Sequence, residues 1–391
     1  MSVAPHTSNA RPEAYITLTA AEMPNAPVDN DHIESVLGMI NGKPSRAKRI
    51  ILRNNGIQSR HYVLDPNTQE PVCNNAQLTA QAVRNLFPSK HELNQIDLLA
   101  CGTTMPDQIA PGHAVMVHGE LACPPCETVS TASICISGLM ALKYAYLAVR
   151  NGDSRKAVAT GSETASILLR ARNYEAETQA KLEQLEARPE IGFDKDFLRW
   201  MLSDGAGAVC IEPQPRADAV SLKIHWIKTL SYANELETCM YAGATKQANG
   251  DLIGWNRYDG ATLMQESVLA IKQDVKLLND NIVPYAITKT LDRLVAETGL
   301  QADDIDYFLP HISSMYFYHK VADALADMHF VIPQEKWFTN LTTKGNTGSA
   351  SIFIMLDELV KSGRLKSGNK LLCFVPESGR FSSGFMLLEV V

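Results

Sequence analysis

Apolar positions follow two alternating rhythms along this chain, and the alternation occurs twice. Residues 78–87 (LTAQAVRNLF) place apolar side chains at the spacing of one helix face, and residues 285–299 (YAITKTLDRLVAETG) do the same. Each stretch leads through a polar link into a short apolar run, NQIDLLACGTT in the first case and DDIDYFLPHIS in the second. The pair Ile96-Asp97 matches Ile305-Asp306 at an offset of 209. Further on, each segment has a small-residue turn, a second helical pattern and a turn with glycine (Asn151-Gly152, Ser362-Gly363), followed by a buried-type strand, KAVATG or KLLCFV. In this register Cys135 and Asn346 both stand at the start of the second helix, at an offset of 211.

The pattern predicts two related α/β halves, 1–215 and 216–391, with mostly parallel sheets covered by helices. Residues 170–200 are charged and rich in Glu and Ala, and read as an inserted helical excursion. Residues 232–260 lack periodicity and read as a loop region.

Composition narrows the function. The 391 residues are 45% hydrophobic and 20% charged, with a net charge of −7, which fits a globular chain with a sizeable core and offers no basic face for nucleic acid. No apolar run approaches the length of a membrane span, and the polar N-terminus has no signal-like apolar region, so the expected compartment is the cytoplasm. The eight cysteines are scattered. Cys123-Pro-Pro-Cys126 has CxxC spacing, but a structural zinc site needs further ligands and the chain has no second such pair. The motif precedes a strand pattern rather than a strand-to-helix turn, so it reads as an ordinary cysteine pair.

Three residues carry candidate chemistry. Cys135, in TASICISG, sits where a strand pattern gives way to the helix GLMALKYAYLAV. Unpaired N–H groups at a helix start favour the thiolate, which can carry an acyl group as a thioester; a buried structural cysteine is the plainer reading. His311 follows Pro310 at a strand end, where a neutral imidazole is a hydrogen-bond donor, although structural histidines are as common there. Asn346, in KGNTGSAS, carries a fixed uncharged donor, or merely caps the helix that follows. Together they suit a condensation: the cysteine presents an acyl electrophile while histidine and asparagine hold the enolate oxygen of a second thioester.

TASICISGLMAL, LPHISSM and KGNTGSAS resemble, in that order, the nucleophile, histidine and asparagine segments of β-ketoacyl-acyl-carrier-protein synthase III, in the thiolase superfamily. Asn55-Gly56-Ile57-Gln58-Ser59-Arg60-His61, Ser203-Asp204-Gly205-Ala206-Gly207-Ala208 and Glu377-Ser378-Gly379-Arg380-Phe381-Ser382-Ser383-Gly384 resemble three further motifs of that family, so the likeness spans about residues 20 to 391. The resemblance implies a five-layer αβαβα fold of two duplicated halves and a homodimer. It also implies an acyltransferase of the EC 2.3.1 class acting on acyl-carrier-protein or coenzyme A thioesters, without metal or other cofactor. By the same resemblance, the backbone N–H groups of Cys135 and Gly379 would form the oxyanion hole. The chain departs from the family where Ser378-Gly379-Arg380 replaces consecutive glycines, and where Ile312-Ser313-Ser314 follows the histidine. The early segment 22–60 has no Trp to stack an adenine, which favours a carrier protein over coenzyme A. These departures suggest specialised fatty acid or polyketide metabolism, with the enzymes that form dialkylresorcinols and cyclohexanediones as the nearest subgroup.

Other readings stay open. In one, the cysteine passes its acyl group to an oxygen or nitrogen acceptor with His311 as base; in another, the chain is a non-catalytic partner of a ketosynthase. A hydroxymethylglutaryl-coenzyme A synthase-like reaction needs a carboxylate near the cysteine, for which Asp107, Glu120 and Glu127 lie upstream. Lys272, Lys276 and Lys289 are candidates for a basic patch that would receive an acidic carrier protein.

Overall fold

The computed structural model describes residues 12–175 and 197–391, so most of the expected helical excursion at 170–200 lies outside the described residues. One nine-stranded sheet runs through the molecule. Its strands are β1 (Tyr15–Glu22), β2 (Leu98–Thr103), β3 (Glu127–Ala132), β4 (Ala157–Glu163), β5 (Gly205–Glu212), β6 (Leu222–Ser231), β7 (Tyr307–Pro310), β8 (Lys370–Glu377) and β9 (Ser382–Val390). The spatial order is β7-β8-β9-β6-β1-β5-β4-β2-β3.

The order exposes the duplication. In the first half the strands taken in sequence lie in the order third, second, fourth, fifth, first. The second half repeats this with its third strand reduced to one parallel bridge, Phe308 to Trp337. Within this sheet the halves join where Tyr15 and Ile16 of β1 pair with Lys223 and Leu222 of β6. The expectation of mostly parallel strands is corrected. β2–β3, β2–β4 and β7–β8 are parallel, whereas β1–β5, β4–β5, β1–β6, β6–β9 and β8–β9 are antiparallel. Apolar runs buried on both faces look alike in either direction, so strand composition left the direction open.

Alternation along the strands builds the layers. Leu98 and Ala100 of β2 face one core while Leu99 and Cys101 face another. In β8, Leu371, Cys373 and Val375 join that first core, and Leu372 and Phe374 point to a third. The shared core holds the two central helices, α3 (Ile136–Asn151) and α7 (Ser351–Lys361), so it cements both halves. Outside lie α1 (Asn75–Leu86) and α2 (His113–Leu121) on the first half, and α4 (Val275–Val283), α5 (Thr290–Thr298) and α6 (Tyr316–Asp327) on the second. The result is five layers, αβαβα.

Two glycines bring the central elements close. A Cβ on Gly138 of α3 would stand 2.3 Å from the Ser349 carbonyl oxygen, and one on Gly161 of β4 only 2.1 Å from it. The turn that precedes α7 therefore presses against β4 and the first turn of α3, and this draws the Asn346 segment toward the Cys135 segment.

Candidate active site

Cys135 is the residue immediately before α3, three positions after β3 ends at Ala132 and a short turn begins. The turn is tied down. The Thr131 hydroxyl donates to the Ser137 carbonyl at 2.7 Å, and the Ser137 hydroxyl to the Ile134 carbonyl at 2.9 Å. Cys135 is buried. Burial pushes its thiol well above the ordinary value, and the carboxyl groups of Glu163 and Glu377 push it further the same way. This corrects the expectation that the helix start alone yields a resting thiolate: desolvation opposes the dipole, and proton removal has to accompany attack.

Asn346 lies in the equivalent turn of the second half, but not at the helix itself; a 3-10 turn (Gly348–Ala350) separates it from α7. Its backbone pairs with residues 201–203: its N–H donates to the Met201 carbonyl at 3.0 Å and its carbonyl accepts from the Ser203 N–H at 2.8 Å. Its side-chain Oδ1 accepts from the Gly348 N–H at 3.0 Å. That bond settles the amide orientation and leaves Nδ2 as the outward donor. Gly348 makes it at φ +52°, a conformation suited to glycine.

Cys135 and Asn346 line one cavity of about 510 Å³, part of it open to solvent. Its other walls are chiefly apolar: Ile134, Leu198, Met201, Leu202, Met240 and Ile271. His311 follows β7, with its backbone N–H given to the Phe374 carbonyl at 2.8 Å. It does not itself line the cavity; Ser313 does. The ring is buried, Nδ1 has no hydrogen-bond partner among the described residues, and burial lowers the pKa to about 4, so the imidazole is neutral.

Two carboxyl groups were missed by sequence reasoning. Glu163 ends β4, lines the cavity and is pushed up to about 7 by burial. Its Oε1 accepts from the Thr104 hydroxyl (2.6 Å), the Thr104 N–H (3.2 Å) and the Ser349 N–H (3.1 Å). Glu377 ends β8, the equivalent strand of the other half, and is also buried. The available signal was a carboxylate closing an otherwise apolar strand, in KAVATGSE and KLLCFVPE. The upstream acids do other work. Asp107 is exposed and accepts from the Asn75 and Ala76 N–H groups at the start of α1, Glu127 accepts from the Tyr144 hydroxyl on the surface, and Glu120 lies on α2; none lines the cavity.

Gly379 departs from its expected role. Its N–H is donated to Glu377 Oε1 at 2.9 Å, so it is free for an oxyanion only once that bond opens. Arg380 points outward and donates from Nε to the Leu236 carbonyl. Asp204 is structural: its carboxyl receives the Val63 and Ser166 N–H groups and the Ser166 hydroxyl. Arg60 is fully buried and ties Asn30 to the Trp200 carbonyl. Lys276 pairs with Asp280 and Lys289 with Glu235, while Lys272 donates to the Ala244 and Glu266 carbonyls, so all three are engaged locally.

The similarity to known proteins follows the same lines. Residues 295–388 match the 3-oxoacyl-[acyl-carrier-protein] synthase III C-terminal family. The β-ketoacyl-[acyl-carrier-protein] synthase III of Xanthomonas campestris pv. campestris is 26% identical over 375 residues, covering 95% of this chain and 96% of the relative. The solved structure of AbyA1, a tetronic acid condensing enzyme, superposes with a TM-score of 0.71 at 22% identity, covering 96% of this chain and 99% of that one. OleA of Xanthomonas campestris, with bound lauric acid and lauroyl-CoA, superposes with a TM-score of 0.70 at 18% identity, covering 97% and 99%. With its duplicated five-layer fold and a cysteine at the head of the first central helix, the chain has the fold of these proteins and is similar over nearly its whole length to β-ketoacyl-[acyl-carrier-protein] synthase III.

Proposed function

We propose that the protein joins two acyl thioesters through an acyl-Cys135 intermediate. The observation that carries this reading is the shared cavity: a buried thiol, a carboxyl group poised near neutrality and an amide donor with its orientation settled meet within apolar walls.

Glu163 takes the Cys135 proton as the sulfur attacks the first thioester carbonyl. The S–C bond to Cys135 forms, the carrier's C–S bond breaks, and the leaving thiolate takes up that proton. The N–H of Cys135 contributes to the oxyanion site, joined by that of Gly379 if Glu377 releases it. A second thioester then enters and forms its enolate, by loss of carbon dioxide or by passing an α-proton to the Glu163 carboxylate; Asn346 Nδ2 donates to the oxygen, joined by neutral His311 if its ring turns into the cavity. The carbanion attacks the acyl carbon, the new C–C bond forms, and the Cys135 sulfur leaves as the thiolate, which takes back the proton from Glu163 or, after loss of carbon dioxide, one from solvent.

Fatty acyl substrates suit the walls. A second, smaller apolar pocket, bounded by Ile282, Ile287, Ile312, Phe317 and Val321 and partly open to solvent, shares Ser313 with the first, and a second chain would enter there. Buried methylenes contribute about 0.8 kcal/mol each, or roughly fourfold in affinity. The absence of Trp in 22–60 favours acyl carrier protein over coenzyme A as the donor. The two-chain arrangement extends to ring closure toward a dialkylresorcinol or cyclohexanedione, in specialised fatty acid or polyketide metabolism. The strand β3 is at the sheet edge, and an unpaired edge supports a homodimer. No helix among the described residues is long and apolar enough to cross a membrane.

Intact-protein mass spectrometry with a panel of acyl-carrier-protein and acyl-coenzyme A thioesters tests the reading. One acyl group is expected on the protein and none on Cys135→Ala. Absence of any adduct, or an adduct that survives the substitution, overturns it.

A further inference from the structure

Away from this cavity, the fold gives the pair in Cys123-Pro-Pro-Cys126 a third companion. Helix α2 ends at Leu121, and Ala122 takes the left-handed conformation at φ +50°, with its N–H closing on the His118 carbonyl. A non-glycine residue in that region is uncommon. It turns the chain so that Cys123 and Cys126 fold back over the last turn of α2, where His118 sits. One ligand atom from each of His118, Cys123 and Cys126 lies within 4.8 Å of the other two. All three side chains are partly buried, and both cysteines pack against the core beneath α1 and α2. His118 Nε2 stands 3.1 Å from the Pro124 carbonyl, which holds the ring over the loop. Both thiols are free.

We infer that His118, Cys123 and Cys126 form a zinc(II) site. Two sulfurs and an imidazole nitrogen are a donor set that zinc favours, with a solvent molecule in the fourth tetrahedral position. On binding, each thiol passes its proton to solvent and becomes a thiolate ligand, so the site releases two protons and transfers no electrons. Two successive prolines restrict the loop and reduce the ordering that binding requires. Sequence reasoning sought a second CxxC pair; the third ligand comes instead from a helix five residues upstream of Cys123, through the turn at Ala122. The site clamps the connection from α2 to edge strand β3, the strand that leads to Cys135. Its role is to hold that strand, apart from the acyl-transfer chemistry.

The full-length reduced protein, stripped with a chelator and titrated with zinc chloride, provides the test, read by native mass spectrometry and by competition with a chromophoric chelator. One zinc per chain is expected, retained in Cys135→Ala, lost in the Cys123→Ser/Cys126→Ser double variant and weakened by more than about tenfold in His118→Ala, since loss of even an outer-shell partner costs that much. Cobalt(II) in place of zinc should show thiolate-to-metal charge-transfer absorption in the wild type and in Cys135→Ala only. Circular dichroism establishes that each variant is folded. No stoichiometric zinc, zinc that persists in the folded double variant, or conversion of the pair to a disulfide under the same reducing conditions overturns the inference.

Discussion

The fourth strand of each half ends in a buried glutamate, and the two are held in different ways. Glu377 is bonded through both oxygens: Ser133 and Gly379 donate to Oε1, and the Arg380 and Ser382 N–H groups to Oε2. Glu163 receives all three of its hydrogen bonds on Oε1, leaving Oε2 without a partner among the described residues while the residue lines the cavity. Donors to a carboxylate favour its charged form and desolvation disfavours it. At Glu163 desolvation wins, so the group is poised near neutrality. Duplication thus supplied two equivalent positions beside one cysteine, and the local donors made one a fixture of the C-terminal loop and left the other with an oxygen unengaged at the cavity.

The largest effects separate the proposed roles of Cys135 and Asn346. Cys135→Ala should leave no acyl adduct, whereas Asn346→Ala should still be acylated yet condense about 10²- to 10³-fold more slowly, the usual penalty for losing one oxyanion donor. Single-turnover assays of each step measure this; equal loss of both steps in Asn346→Ala contradicts its role.

Glu163→Gln sharpens the glutamate comparison. Acyl transfer to Cys135 should fall about 10²-fold, and the rise of its rate with pH through about 7 should disappear. Stability gives an independent readout. The folded pKa of Glu163 lies above its ordinary 4.5, so the contribution is fully present below 4.5 and is lost as pH rises through about 7. The change is on the order of 3 kcal/mol. Asp204, raised to about 6, acts in the same sense, while His311, lowered to about 4, stabilises above 6.5 and loses this as pH falls through 4. Urea unfolding of Glu163→Gln and wild type at pH 5 and pH 8 isolates the Glu163 part by difference; identical slopes refute it.

Gly348→Ala attacks the turn that orients Asn346. The position has φ +52°, and the new Cβ would stand 3.0 Å from Glu163 Cγ and Oε1. A loss of about 1–2 kcal/mol in stability is expected from the backbone alone, readable by denaturant unfolding. The smallest effect belongs to Arg380→Ala, an exposed residue beside Gly379: stability should change by less than about 0.5 kcal/mol, with acylation unaltered.

Much of this molecule is legible from local pattern. The helix read from LTAQAVRNLF is α1, the strands read in LLACGTT and KLLCFV are β2 and β8, and Cys135 stands at the head of α3. Asn346 was placed at a helix start but sits ahead of a 3-10 turn, because Gly348 breaks the entry to α7. The upstream acids Asp107, Glu120 and Glu127 were weighed for their nearness in sequence to the cysteine, yet Asp107 accepts from the start of α1 and none of them lines the cavity. Glu163 and Glu377 went unnoticed, since nothing in a single sequence says that two strand ends 214 positions apart converge.

By itself the sequence determined the elements, the repeat and the position of Cys135 at a helix start, because periodicities of 3.6 and 2 and the turn residues between them act over a few neighbouring positions. Only the tertiary structure decided that five of the eight strand pairings are antiparallel, that Glu163 rather than an upstream acid lines the cavity with Cys135, and that His118 meets Cys123 and Cys126. Those outcomes depend on strand order, on burial and on the way the chain turns at Ala122, and each of these sets the distance and solvation between side chains that local pattern leaves independent.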